Sequence, residues 1–84
     1  MRYEGSQIGL YKGAVGKKIW QKQVECLGTV TIAVFDHPND IGGAILGVDR
    51  AGTGFTYFEY PGLNGSNKAV KEAKKLVKIY SGEL

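Results

Sequence analysis

The rhythm of hydrophobic and polar positions changes near residue 61, and the change divides the chain into a sheet followed by a helix. The clearest alternation runs from Thr29 to Phe35, where Val30, Ile32 and Val34 alternate with Thr29, Thr31 and Ala33. Period two in a β-branched, aromatic segment marks a strand with two unlike faces. This strand is expected at the sheet centre. Before it, Lys17–Cys26 reads as a strand that places Trp20, Val24 and Cys26 on one side. Ile8–Val15 reads as a first strand, and its glycines at 9 and 13 suit an edge or a bulge. Gly28 either turns a hairpin or bulges one long strand.

Asp36–Gly43 (DHPNDIGG) carries proline, asparagine, aspartate and two glycines and reads as a loop. Ala44–Val48 is a short apolar strand, Asp49–Gly54 (DRAGTG) a turn, and Phe55–Tyr60 (FTYFEY) an aromatic strand, which together make a hairpin. In the last strand Phe55, Tyr57 and Glu59 face one way and Thr56, Phe58 and Tyr60 the other. After Pro61–Gly65 the period becomes helical. Ser66 or Asn67 offers an N-cap for a helix over about 67–80, and Gly82 is placed to stop it. Ala69, Val70, Ala73, Leu76, Val77 and Tyr80 fall in one arc of about 120°. The lysines at 68, 71, 74, 75 and 78 fill the opposing arc.

These elements predict an α+β fold: an antiparallel sheet of four to five strands (about 8–60) with one C-terminal amphipathic helix packed on one face. The 84 residues supply one hydrophobic core and a single small domain over 1–84. Thirteen scattered glycines agree with short strands and many turns. Cys26 is the only cysteine, which excludes an intramolecular disulfide and a cysteine-based zinc site and fits a cytoplasmic location. Neither a leader-like apolar run nor a membrane-spanning stretch is visible.

Charge adds a second pattern. Residues 1–22 hold Arg2, Lys12, Lys17, Lys18 and Lys22 against Glu4, and residues 67–84 hold the five helix lysines against Glu72 and Glu83. The middle holds Glu25, Asp36, Asp40, Asp49 and Glu59 against Arg50. The chain is therefore basic at both ends and acidic between them.

The chemistry-bearing combinations are weak as catalytic sites. Gly13–Lys18 (GAVGKK) lacks a phosphate loop's first glycine, since Tyr11 stands there, and its closing Ser or Thr, since Lys18 does. Asp36, His37 and Asp40 share one loop without a third well-placed ligand or an EF-hand spacing. Cys26 and His37 could form a nucleophile–base pair only if the fold brought them together, and Cys26 lies on an apolar strand face. No metal, no cofactor and no enzymatic activity is expected.

Binding is the remaining class. Lysines along one helix face can track phosphates, and aromatic side chains on an open sheet can stack bases or anchor protein partners. The expected contact residues are Lys17, Lys18, Lys22, Lys68, Lys71, Lys74, Lys75 and Lys78, with Trp20 and Tyr57. The tract Ser66–Lys75 resembles the start of the second helix in double-stranded-RNA-binding domains, with Ser66, Lys68 and Lys71 aligned to that pattern's serine and lysines. Val70 and Lys74 replace the small residues expected next, and no N-terminal helix precedes the sheet. The leading expectation is a small non-catalytic module that binds nucleic acid. Its competitor is a protein-binding inhibitor or adaptor acting on an anionic protein surface, of the sort phages and other mobile elements direct against host nuclease complexes. Homodimerisation through a sheet edge or the aromatic face is compatible with both.

Overall fold

The computed structural model describes residues 15–82 and, ahead of them, the backbone of Ser6–Ile8. Its elements are β1 (Ser6–Ile8), β2 (Lys18–Glu25), β3 (Thr29–Asp36), β4 (Ala44–Arg50), β5 (Phe55–Tyr60) and α1 (Gly65–Tyr80). All neighbouring strands are antiparallel, in the order β1-β5-β4-β3-β2. Strands β2 to β5 form a meander, to whose far edge β1 is added. The α+β class expected from the pattern is the observed one, with a correction of position. β4 occupies the centre, and β3 lies between β4 and the edge strand β2. Of the strand expected over Ile8–Val15, residues 9–14 lie outside the described residues.

Register explains the core. Val34 pairs with Trp20 and Leu46, Ile32 with Lys22 and Val48, and Val30 with Val24 and Arg50. Leu46 in turn pairs with Phe58, and Ala44 with Tyr60. Directly opposed residues share a face, so one side of the sheet collects Val30, Ile32, Val34, Ala44, Leu46, Val48, Phe58 and Tyr60, all buried. Ala69, Ala73 and Leu76 of α1 close this layer, and Trp20, Val24, Cys26, Val70, Val77 and Tyr80 pack around it half-buried. Leu76 is fully buried. Its side chain therefore carries the full burial gain of about 1.5–3 kcal/mol, whereas Val70, Val77 and Tyr80 carry part of theirs.

The alternatives left open at Gly28 resolve into a hairpin. Glu25 pairs with Thr29, the Cys26 amide donates to the Gly28 carbonyl at 2.7 Å, and Leu27 and Gly28 both take positive φ (53° and 113°). A register shift between Lys18 and Trp20 marks a bulge in β2.

The helix begins earlier than expected, at Gly65, behind Asn64, whose side chain makes no capping bond. Ser66 does not cap. Its hydroxyl and its amide both donate to the Gly42 carbonyl, at 2.9 and 3.0 Å. A Cβ on Gly65 would stand 2.0 Å from the Tyr60 carbonyl oxygen and 2.9 Å from the Gly43 Cα. The first turn is thus fixed by backbone-to-backbone approach, which no capping signal announces. At the other end Gly82 (φ 77°) donates to the Ile79 carbonyl at 3.1 Å, the expected stop.

Candidate nucleic-acid interface

The outward face of α1 follows from where its inward face is spent. With Gly65, Ala69, Ala73 and Leu76 against the sheet, Lys68, Lys71, Lys74, Lys75 and Lys78 point away from it, and all five are exposed. From Lys68 to Lys78 the ridge is about 15 Å long at 1.5 Å per residue. Glu72, the sole carboxylate of the helix, is buried, with 4% of its surface exposed. Its side chain is therefore not part of the exposed ridge. Among the described residues the five ammonium groups make no ion pair. The burial of Glu72 was not legible from the helical wheel, where it lies at the margin of the apolar arc.

The other expected contact residues divide among three places. Lys22 is exposed on the helix side of β2, opposite Ile32 and at the sheet's edge. Lys17 precedes β2 and is exposed. Lys18, paired with Phe35, lies on the opposite face, and its ammonium donates to the Gln21 side-chain carbonyl. Trp20 packs half-buried against the core, on the helix side. Tyr57 is on the other side. The ridge and Lys22 thus share one side of the sheet, whereas Lys18 and Tyr57 do not join them.

Tyr57 belongs to a cluster of its own. Phe35, Phe55 and Tyr57 converge above Gly47, with ring centroids 5.8–6.4 Å apart; Phe55 and Tyr57 stack, and Phe35 meets both edge-on. A Cβ at Gly47 would lie 2.8 Å from the Phe55 ring and 3.3 Å from the other two. The rings occupy the space a side chain would have taken. All three are half-buried.

The weak catalytic combinations are separated or already engaged. Cys26 and His37 lie beyond opposite ends of the eight-residue β3, about 25 Å apart along a strand. His37 Nδ1 accepts the Asn39 amide at 3.1 Å, so in the neutral ring Nε2 carries the proton that it donates to Glu59, 3.0 Å away. Asp40 accepts the Gly62 amide at 2.9 Å. Among the described residues no three His, Cys, Asp or Glu side chains form a group that could hold a metal ion. Lys18 opens a strand rather than the helix that follows a phosphate loop, and residues 13 and 14 of the GAVGKK tract lie outside the described residues. No helix among the described residues is long and apolar enough to cross a membrane. Compared with protein-family models, with curated proteins and with solved structures, the chain matches none.

Proposed function

We propose that this protein is a non-catalytic module that binds nucleic acid through the outward face of α1, extended along the same side of the sheet by Lys22. The observation that carries the reading is the ridge itself: five exposed lysines on one helix face, with the only helix carboxylate buried. A solvated helix surface ordinarily mixes both signs, because opposite charges at i,i+4 support the helix. A single-sign ridge gives up that support and gains a field suited to a polyanion. Phosphates along a backbone can be met by successive ammonium groups of such a ridge, and each contact releases condensed counterions.

Binding measured by fluorescence anisotropy against salt tests this. The logarithm of the affinity is expected to fall linearly with the logarithm of salt concentration. Replacing Lys71 and Lys75 together by alanine is expected to lower the slope by about 1.5. Absence of binding to any DNA or RNA at low salt overturns the reading. An anionic protein surface would meet the same ridge. Capture of a protein partner that survives both nuclease treatment and high salt would favour that inhibitor or adaptor role instead.

A further inference from the structure

Beside the C-terminal end of α1 the described residues form a recess of about 270 Å³. Val48 and Phe58, both buried, give it an apolar floor. Tyr80 and Arg50 form one wall, with the guanidinium carbon 5.9 Å from the centre of the tyrosine ring. The rim is Thr53, Gly54 and Thr56. Two of these rim groups are already engaged: the Thr53 hydroxyl donates to the Arg50 carbonyl at 2.8 Å, and the Gly54 amide donates to Asp49 at 3.1 Å. The Arg50 guanidinium and the Thr56 hydroxyl remain as polar groups facing the recess.

We propose that this recess is a binding site for an unpaired nucleobase, which makes single-stranded nucleic acid the preferred ligand. The inference rests on the nucleic-acid reading above and deepens it. A base needs a flat apolar surface for its faces and a hydrogen-bonding group at its edge. Tyrosine rings and arginine planes supply the first, and a hydroxyl that both donates and accepts supplies the second. Among the described residues no carboxylate lines the recess itself, and the nearby Asp49 carboxylate is engaged by the Gly54 amide at the rim. Placement supports the same ligand. The lysine ridge ends at Lys78, two residues before Tyr80, so a strand following the ridge arrives at this end of the helix. A blunt duplex keeps its bases stacked inside and cannot fill the recess.

The test uses the full chain with ten-nucleotide single strands of DNA and RNA carrying one 2-aminopurine, beside a blunt ten-base-pair duplex. The single strand is expected to bind about tenfold more tightly than the duplex, the size of one base–aromatic stack. Electrostatics alone would favour the duplex, whose charge density is higher. Quenching of the 2-aminopurine is expected to persist in Tyr80→Phe and to be lost in Tyr80→Leu and in Arg50→Gln. Arg50 is exposed, so its variant remains informative even if Tyr80→Leu folds poorly. Equal affinity for both ligands, or quenching unchanged in Arg50→Gln and Tyr80→Leu, overturns the base site. If Lys71→Ala with Lys75→Ala still weakens binding in that case, the ridge reading stands without it. If no oligonucleotide binds, both fall.

Discussion

The two ends of α1 meet the sheet in opposite ways. At the N-terminal end Gly65 lies so close to the Tyr60 carbonyl and to Gly43 that only hydrogen fits between them, and Ser66 makes two bonds to Gly42. At the C-terminal end Tyr80 and Arg50 border a recess. One end is fixed by backbone and the other by side chains. The contrast teaches that the same helix can be anchored by backbone where it leaves the sheet chain and still border a recess a few turns later.

Substitutions that fall on the two ends should therefore differ in size. Gly65→Ala is expected to cost about 3 kcal/mol or more, because the obstructing atoms are backbone and cannot rotate away. Urea unfolding would register this as a lower midpoint at unchanged slope. Tyr80→Ala should cost about 2 kcal/mol, since the ring is half-buried and its arginine partner exposed. A loss at Tyr80 equal to that at Gly65 would erase the distinction between the ends. Ser66→Ala should cost about 1 kcal/mol for the lost hydroxyl bond, because the amide bond to Gly42 remains. Lys71→Ala is the smallest change. It should shift stability by no more than about 0.5 kcal/mol, in the stabilising direction, through better helix propensity and relief of like charge.

The same contrast marks what could be read from residues alone. The faces of β3 and β5 and the apolar arc of α1 follow from periodicity, because each side chain's direction is dictated by local backbone geometry. Val30, Ile32, Val34, Phe58 and Leu76 are all buried as their spacing implies. The helix start was not legible, because what fixes Gly65 is the distant Tyr60 carbonyl rather than any neighbour in the chain. The burial of Glu72 was not legible for a related reason. Its angle on the wheel borders the apolar arc, and tertiary packing decides on which side of that border it falls. Of the expected contact residues, the lysine ridge was fully legible. The separation of Trp20 from Tyr57 was not, since their relative face depends on strand pairing and on the bulge in β2. The recess was invisible too, since its walls come from a helix end and a turn 30 residues earlier in the chain.

The lysine ridge has a thermodynamic consequence in the free protein. Lys68–Lys71, Lys71–Lys74, Lys71–Lys75, Lys74–Lys78 and Lys75–Lys78 are like-charge neighbours at i,i+3 or i,i+4. Each such pair opposes the helix by about 0.2–0.5 kcal/mol at low salt. Screening relieves this repulsion, so added salt should raise the melting temperature by a few degrees while it weakens the binding of a polyanion. Stability and affinity then run in opposite directions along a single experimental axis. Charge that makes this helix harder to fold alone is stored free energy, and a bound phosphate backbone would release it.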